Sequence, residues 1–198
     1  MKFDIHGKPV RSILRVYLNY GEVIIINPVS RVVMEGMAFQ QLNLQGLVLH
    51  RFMAMRQDAH IWISHMSAGD IHPVNIGGEK LLVNRNAYMG HSGALSIRIE
   101  ERGEFVLMEG SGILWVADEA PMEEIFLSPG EELIIENSHI LVVDENTYRR
   151  MQYILPPAGH ITPFHGHPVR VKGPGRLVIR HRKLSPIDSV LNHIREIF

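Results

Sequence analysis

The chain has 198 residues, a formal net charge of −1 and no cysteine. The near-neutral charge excludes a global attraction to nucleic acid or membrane surfaces, and the lack of cysteine excludes disulfides, thiolate metal sites and a cysteine nucleophile. Hydrophobic residues make up 45% of the chain, which is enough for a core. No apolar run approaches the roughly 18 residues of a membrane span, so we expect a cytoplasmic protein.

The first third of the chain predicts short strands separated by turns. Ile13–Tyr17 and Val23–Ile26 flank a turn at Asn19–Glu22, and Arg31–Met34 follows. The segment from residue 37 to 55 mostly alternates apolar and polar residues, which favours strand. The polar stretch after it predicts a loop at Met53–His60, and the next strand is predicted at residues 61–65.

The middle of the chain contains the clearest alternation. In Ala94–Glu100, the side chains of Leu95, Ile97 and Ile99 share one face, which is typical of a half-buried strand. Strands are also predicted at residues 71–76, 105–108 and 113–116. The glycines of Gly110–Gly112 predict a sharp bend between the last two of these strands.

The last part of the chain changes character at residue 185. Before it, strands are predicted at Tyr148–Leu155, at residues 169–172 and at residues 177–179. In the segment 185–198, Ser185 is a candidate N-cap, Pro186 suits the first helical position, and Asp188 suits the positive end of the helix dipole. Apolar residues recur there at helical spacing, at Ile187, Val190, Leu191, Ile194 and Phe198. We expect one amphipathic helix with its apolar face against a sheet or a neighbouring subunit.

One phrase occurs three times, at Tyr20–Met34, Gly77–His91 and Ser128–Glu145. Each copy has Gly-Glu, one variable residue, three apolar residues, a polar break and a second strand-like run. Repetition at spacings near 50 residues indicates an architecture of repeated units. Regular short strands and a single helix predict an all-β fold, and paired strands in pseudo-repeats suit a jelly-roll-like sandwich.

We therefore predict one β-sandwich domain over residues 1–184, possibly duplicated as halves 13–100 and 101–184. The C-terminal helix, residues 185–198, is predicted to be an addition to this domain. The predicted fold class is all-β: a double-stranded β-helix or jelly-roll-like sandwich with internal pseudo-repeats and one C-terminal α-helix.

Three phrases carry a resemblance to a known family: Ser128–Ile135, the preceding strand Phe105–Gly112, and Gly173–Gly175. Over roughly residues 13 to 183, the chain resembles the altered-inheritance-of-mitochondria biogenesis family. That family is placed in the superfamily named after the tryptophan RNA-binding attenuation protein. The resemblance implies a jelly-roll architecture with duplicated halves and a homo-oligomer, with a trimer as the expected assembly. It supplies no catalytic residues.

A histidine cluster near the C-terminus is the candidate metal site. His165 and His167 are two residues apart, so on a strand they would share one face, and His160 precedes them. This spacing resembles the first half of the cupin metal motif. However, Val171 and Lys172 stand where the cupin glutamate would follow. A divalent metal is therefore an alternative, and the favoured prediction has no cofactor. His60, His65 and His72 form a looser group whose spacing matches no compact metal template.

Two further segments were considered as reaction or ion sites. Gly90–Ala94 is similar to a nucleophile elbow, but that motif requires a helix after its serine, and here an alternating strand follows. The interpretation of this segment is therefore a hairpin turn. The acidic segment 117–124 lacks the alternating oxygen ligands and glycine of a calcium loop, so a solvated surface is expected.

A basic cluster within residues 170–183 is the candidate nucleic-acid site. It comprises Arg170, Lys172, Arg176, Arg180, Arg182 and Lys183, with Arg176, Arg180, Arg182 and Lys183 as the proposed contacts. Oligomerisation would repeat the cluster around a ring. The net charge of the chain and the lack of interleaved aromatic residues disfavour nucleic acid, and a charged edge strand accounts for the cluster as well.

Three functions follow from these features. The favoured one is a non-enzymatic, homo-oligomeric scaffold or interaction module that binds itself and an unidentified protein. The alternatives are a cupin-like metal-dependent enzyme that uses His160, His165 and His167, and an RNA-binding protein that uses the basic cluster.

Overall fold

The computed structural model describes residues 1–44, 46–66, 69–100, 103–154 and 167–181. In this part of the chain there are sixteen β-strands, one short α-helix and one 3₁₀ turn. The strands are β1 Lys2–His6, β2 Ile13–Leu18, β3 Val23–Ile26, β4 Arg31–Glu35, β5 Met37–Leu44, β6 Leu47–Ala54, β7 Ala59–Ser64, β8 Asp70–Asn84, β9 Tyr88–Ile99, β10 Phe105–Asp118, β11 Met122–Leu127, β12 Glu132–Glu136, β13 Ile140–Asp144, β14 Gln152–Tyr153, β15 Pro168–Lys172 and β16 Gly175–Arg180. The helix α1 is Glu145–Arg150 and the 3₁₀ turn is Asn137–His139.

The strands form three antiparallel sheets. A central sheet of nine strands has the order β11-β16-β13-β8-β10-β9-β3-β6-β5. The N-terminal sheet has the order β1-β2-β7-β4, and the C-terminal sheet has the order β12-β15-β14. The prediction of an all-β fold is confirmed, whereas the jelly-roll winding, the single domain over residues 1–184 and the halves 13–100 and 101–184 stay predictions.

Each smaller sheet packs on one end of the same face of the central sheet. The N-terminal sheet covers a core that includes Ile71, Trp115 and Ala117 from the central strands. The C-terminal sheet covers a core that includes Leu82, Phe105 and Leu107. Because these residues alternate with those of the opposite face, the long strands β8 and β10 contribute to cores on both of their faces.

The opposite face of the central sheet is buried by the central sheet itself. Its core combines residues from both ends of β8 and β10, such as Val74, Val83, Val106 and Leu114, all with 0% exposure. No residue of the N-terminal or C-terminal sheet belongs to this described cluster. The nine-stranded sheet therefore has to curl over its own apolar face to remove these side chains from water.

Glycines at the middle of β9 and β10 make this curvature possible. Gly110 has a φ of +126° and a β-carbon there would lie 2.1 Å from the carbonyl oxygen of Ala94. A β-carbon at Gly112 would lie 2.1 Å from the carbonyl oxygen of Ser92. The β8–β10 register also shifts between Glu109 and Ser111, which is a β-bulge. The sequence prediction that Gly110–Gly112 separates two strands is wrong, because β10 is one strand that runs through the glycines.

The repeated Gly-Glu phrase is a turn motif in its first and third copies. Gly21 and Gly130 have φ values of +81° and +89°, as the third position of a type II turn requires. In both turns the glutamate closes the loop: the Asn19 N–H donates to Glu22 Oε2 at 2.7 Å, and the Ser128 N–H donates to Glu131 Oε2 at 2.6 Å. The second copy differs, because Gly78 and Glu79 lie within strand β8, at the β-bulge that faces β10.

Two predictions at the end of the chain have different outcomes. The strand predicted at Tyr148–Leu155 is wrong at its start, because residues 145–150 form α1, whereas Gln152–Tyr153 is a strand and Leu155 lies outside the described residues. The Asp144 side chain caps α1 by accepting the Thr147 N–H at 2.9 Å, so the local capping chemistry favours helix over the strand preference of Tyr148. The helix predicted at 185–198 lies outside the described residues.

We expect Gly110→Ala to destabilise the protein far more than Gly130→Ala. Both glycines have positive φ, which costs an alanine about 1 kcal/mol. At Gly110, the added β-carbon would also lie 2.1 Å from the carbonyl oxygen of Ala94, which is shorter than β-carbon contacts in proteins. At Gly130, no atom lies within 4 Å of an added β-carbon. We expect a loss of about 3 kcal/mol or more for Gly110→Ala and about 1 kcal/mol for Gly130→Ala, measured by urea unfolding. Equal losses would contradict the close approach of β9 and β10.

Candidate functional site

The outer face of the N-terminal sheet exposes a cluster of aromatic and apolar side chains. We define the aromatic face as Arg15 and Tyr17 of β2, His60 and Trp62 of β7, and Val33 of β4. The strand register aligns them in two rows, because Arg15 and Val33 both pair with Trp62, while Tyr17 pairs with His60. Tyr17, Trp62 and Val33 are 40%, 38% and 65% exposed.

The rings of this face contact one another. The ring centroids of Tyr17 and His60 are 6.4 Å apart, and those of His60 and Trp62 are 6.0 Å apart. The Arg15 guanidinium carbon lies 4.7 Å from the centre of the Trp62 ring, within cation–π range. The result is a continuous surface of π faces with one cation above it.

The opposite side of the same strands holds this face in place. Leu14, Val16, Ile61 and Ile63 alternate with the exposed residues and have exposures of 0% or 1%. They pack into the core between the N-terminal and central sheets. Burial of these inner side chains holds β2 and β7 against the central sheet. The aromatic face therefore lies on a rigid support.

Charged side chains surround the aromatic face unevenly. Glu35 is engaged, by an ion pair with Arg56 and by a 3.8 Å contact with His60 Nε2. Lys2, Arg15 and Arg31 project from the same outer face and form no ion pair within the described ranges. The other carboxylate of this face is Asp4, which is opposite Arg15 in the strand register and lies 2.9 Å from His6 Nε2. The border of the face therefore carries more uncompensated positive than negative charge.

The predicted nucleic-acid residues that the structure describes are engaged in contacts within the chain. Arg176 Nε donates to Glu124 Oε1 at 2.6 Å, and its Nη1 donates to Glu79 Oε1 and to the carbonyl oxygen of Asn75, both at 2.7 Å. Arg180 Nη1 donates to Asp118 Oδ2 at 3.1 Å. Arg182 and Lys183 lie outside the described residues.

The acidic segment and the basic strand are therefore partners. Strand β11 pairs with β16, and this pairing brings the Glu124 carboxylate to the Arg176 guanidinium. Asp118, at the end of β10, reaches Arg180. Sequence reasoning treated the two charge clusters separately and expected a solvated acidic surface. Their opposite sign was the available signal, but Glu124 and Arg176 are 52 residues apart, so the pairing depends on the topology.

The predicted metal residues are not assembled in the described part of the chain. His160 and His165 lie outside it. His167 is exposed, its carbonyl oxygen accepts the Asn137 N–H at 3.0 Å, and it lines a cavity of about 600 Å³. Within the described residues no group of three or more histidine, aspartate or glutamate side chains is arranged to hold a metal ion.

The looser histidine group is also dispersed. His60 belongs to the aromatic face, and His72 Nε2 lies 3.7 Å from Glu124 Oε2 on the central sheet. His65 lines a polar cavity of about 540 Å³ together with His139 and His181. His139 and His181 each approach a carboxylate, Glu136 at 3.7 Å and Glu123 at 3.2 Å.

The segment Gly90–Ala94 lies within β9, so the hairpin turn expected there is wrong. Ser92 is followed by further strand residues, which is incompatible with a nucleophile elbow. His91 is 1% exposed and its Nδ1 lies 2.7 Å from the Tyr88 hydroxyl oxygen. Burial lowers the pKa of His91 to about 4 and raises the pKa of Tyr88, so this buried pair is neutral at physiological pH.

Comparison with known proteins identifies the family. The family model described as mitochondrial biogenesis AIM24 matches residues 3–182. The chain belongs to this family. A Streptococcus pyogenes protein, solved by X-ray crystallography in a structural genomics programme, is similar to this AIM24-family chain with a TM-score of 0.66 and 16% identity. The match covers 100% of this chain and 99% of that one, and at this identity it supports the fold alone.

No curated protein matches the AIM24-family chain. Within its described residues, no helix is both long and apolar enough to cross a membrane. The family resemblance proposed from Ser128–Ile135 and the other two phrases is confirmed. The superfamily assignment and the trimer that accompanied it stay predictions.

The aromatic face was missed by sequence reasoning. The signal was present in β2, where Ile13 and Tyr17 are apolar on the face opposite Leu14, Val16 and Leu18. A strand that is apolar on both faces in an antiparallel sheet indicates that both faces are covered or available for binding. In β7, Trp62 lies between Ile61 and Ile63, whose side chains point into the core. A large aromatic residue on the opposite face likewise indicated a surface that is covered or available for binding.

We expect Arg176→Gln to reduce stability, because it leaves the Glu79 and Glu124 carboxylates without their cation. Arg176 is 18% exposed, so the ion pairs are only partly screened by solvent, and we expect a loss of about 2 kcal/mol in urea unfolding. The matched control is Arg98→Gln, since Arg98 is 59% exposed and lies 3.5 Å from Glu109. An unchanged stability in Arg176→Gln together with reduced RNA binding in a filter assay would restore the nucleic-acid reading.

The buried His91 predicts a loss of stability in acid. Its folded-state pKa is about 4, below the ordinary value of 6.5. The unfolded chain therefore takes up a proton first, and the free energy of unfolding should fall as the pH drops from about 6.5 towards 4, by at most about 3 kcal/mol.

His91→Gln isolates this effect, because glutamine keeps a polar partner for Tyr88 but does not titrate. Urea unfolding at pH 7.5, 5.5 and 4.5 should show a shallower decline for the variant than for the native chain. Parallel declines would mean that His91 is not buried in its neutral form.

Proposed function

We propose that this AIM24-family chain is a non-enzymatic, homo-oligomeric interaction module that binds a protein partner through the aromatic face. The observation that carries the proposal is the exposure of Trp62, Tyr17 and Val33 on a sheet whose two central strands, β2 and β7, have buried inner side chains. The resemblance implies a trimer, and that subunit number is part of the proposal.

The residue types of the aromatic face support protein binding. Tryptophan, tyrosine and arginine are the types that most often dominate the binding energy of protein interfaces. Here the three types are adjacent, with Arg15 stacked on Trp62 and Tyr17 in the next row. Because burial of the inner side chains fixes the sheet, little conformational entropy is lost when a partner docks.

The charge around the aromatic face indicates the chemistry of the partner. Lys2, Arg15 and Arg31 are cations without a carboxylate partner in the described residues. A partner that places apolar or aromatic side chains over Trp62 and acidic side chains at the border complements this surface. The partner we propose is therefore an acidic protein segment with apolar anchors.

The alternatives differ in how much support they have. The RNA alternative used Arg176 and Arg180, and both guanidiniums are occupied by carboxylates of the same chain. The metal-dependent enzyme used His160, His165 and His167, of which only His167 belongs to the described residues. Neither alternative has an observation in its favour that matches the aromatic face.

The cytoplasmic location predicted from the sequence remains part of this proposal. The lack of cysteine is consistent with a reducing compartment. The description of the family refers to mitochondrial biogenesis. An interaction module of this kind needs no catalytic step, so turnover in a broad substrate screen would contradict the proposal.

A photo-crosslinking amino acid at position 33 should capture the partner. Val33 is 65% exposed and is directly opposite Trp62 in the strand register, and Tyr153, at 56%, offers a control position of similar exposure on the C-terminal sheet. We expect a discrete protein adduct from position 33 in cells, at a yield at least five-fold above that from position 153. Mass spectrometry of the adduct identifies the captured chain.

A second substitution tests whether the aromatic residues matter. Trp62→Ala in the position-33 reporter should reduce the adduct at least five-fold, while Tyr153→Ala should leave it unchanged, with circular dichroism confirming that both variants fold. Equal capture from the two positions, or capture that persists in Trp62→Ala, would contradict the proposal. An adduct that contains only this chain would assign the aromatic face to self-assembly instead.

A further inference from the structure

Strand β5 ends the nine-stranded central sheet with one edge unpaired. It pairs only with β6, from Met37 opposite Ala54 to Leu44 opposite Leu47, without a register shift. In an antiparallel pair, alternate residues direct their N–H and C=O groups away from the partner strand. In the described ranges no other strand pairs with β5, so one edge of this eight-residue strand is a template for another strand.

β5 lacks the features that normally protect an exposed edge. Proteins protect such strands with charged side chains, proline, bulges or short length. The other described edge strands follow this rule: β1, β4, β11 and β12 each carry at least two charged residues, and β14 has only two residues. β5 has the sequence MAFQQLNL, with no charge, no proline and no bulge.

Its side chains are also available for contact. Phe39 is 52% exposed although one side of its ring is held by Phe52 and His50, at centroid distances of 5.4 and 4.9 Å. Gln40, Gln41 and Asn43 are exposed as well. A neutral, unprotected and partly aromatic edge is the surface expected of a strand that is paired in the assembled protein.

We propose that β5 pairs antiparallel with β5 of a second copy of the chain, about a two-fold axis. The occupant is a second copy because the strand is complementary to itself: it has no charge to repel its own image, and amide side chains both donate and accept hydrogen bonds. Among the charged edges, β11 and β12 carry glutamate as their only charged residue type, so pairing either strand with its own copy would place like charges near each other. This inference rests on the homo-oligomer of the proposed function and assigns one of its contacts.

The two-fold axis determines which residues of the two β5 strands are opposite each other. Residues directly opposite each other in an antiparallel pair share a face of the sheet, so a two-fold axis normal to the sheet places one residue of β5 opposite its own copy. Gln40 or Gln41, at the middle of the strand, is the expected central residue. A two-fold contact also requires an even subunit number, so the expected trimer satisfies it only when two trimers pair.

Single cysteines can locate this contact, because the native chain has none to compete. The test uses Ala38→Cys, Phe39→Cys, Gln40→Cys, Gln41→Cys, Leu42→Cys and Asn43→Cys, with Glu123→Cys on β11, at the opposite end of the central sheet, as the control. Directly opposite residues have α-carbons about 4.5 to 5.5 Å apart, within disulfide range. Mild oxidation should give a disulfide-linked dimer at one central position, at least ten-fold above Glu123→Cys, with lower yields on both sides.

A charged substitution on β5 provides a second test of the β5 contact. Gln41→Lys adds two like charges across the two-fold axis and should raise the dissociation constant at least ten-fold in native mass spectrometry and sedimentation. Glu123→Lys, a matched exposed substitution on β11, should leave it unchanged. Both substitutions are at exposed positions, so circular dichroism should report a folded chain in each case.

The outcomes separate the inference from the proposed function. A monomeric native chain would overturn both the homo-oligomer and the β5 contact. A lone trimer, or an oligomer unaffected by Gln41→Lys with no cysteine dimer on β5, would overturn the β5 contact and leave the homo-oligomer in place. Cysteine adducts with a different protein at β5 would also overturn it, since the occupant would then not be a second copy.

Discussion

The close approach of β9 and β10 at their glycines is the constraint on which the rest of this structure depends. Gly93, Gly110 and Gly112 place the two backbones where no β-carbon fits, and Gly93 and Gly110 have positive φ. This geometry lets the long strands bend without breaking their ladder. A nine-stranded sheet can then bury one of its faces against itself, which leaves the other face free to receive two smaller sheets at its two ends.

The two ends of the central sheet are completed in different ways. At the C-terminal end, charge holds the strands together, because Arg176 links β16 to β8 and β11 through carboxylates and a carbonyl. At the N-terminal end, the outer strand β5 has no charge, and the sheet packed beneath β3 and β6 exposes aromatic rings on its other side. At the C-terminal end, the Arg176 guanidinium is paired with groups of the same chain. At the N-terminal end, the apolar side chains are exposed and available for contacts with another molecule.

The sequence allowed the fold class and many strands to be predicted, since both depend on local periodicity. Val23–Ile26 and the alternation of Leu95, Ile97 and Ile99 are examples, and the latter three residues do pack against the central core. The glycine segments were misread as turns because a glycine that permits a backbone crossing and a glycine that reverses the chain look the same in one dimension. α1 was missed for a different reason: the capping signal at Asp144 is local and readable, but the strand preference of Tyr148 was given more weight.

The candidate sites were less predictable, because each depends on which strands are neighbours. In the sequence, Arg176 has the character of a nucleic-acid contact, but the pairing of β11 with β16 gives it a carboxylate partner. Trp62 has the character of a core residue, but Ile61 and Ile63 fill the core and Trp62 is on the opposite face. Residue type alone indicates the chemistry a side chain can perform. Whether it performs that chemistry on another molecule depends on how many of its partners the same chain already supplies.

The two proposed surfaces would reinforce each other if both operate. A β5 contact joins two central sheets, and each copy also carries one aromatic face on its N-terminal sheet. A partner with two binding segments, or two partners already associated, would then meet two aromatic faces held on one assembly. The second binding event becomes intramolecular, so weak affinity at each face can give strong attachment overall. In this arrangement the unprotected edge sets the number of aromatic faces in one assembly, and the exposed tryptophan contributes to the affinity of each face.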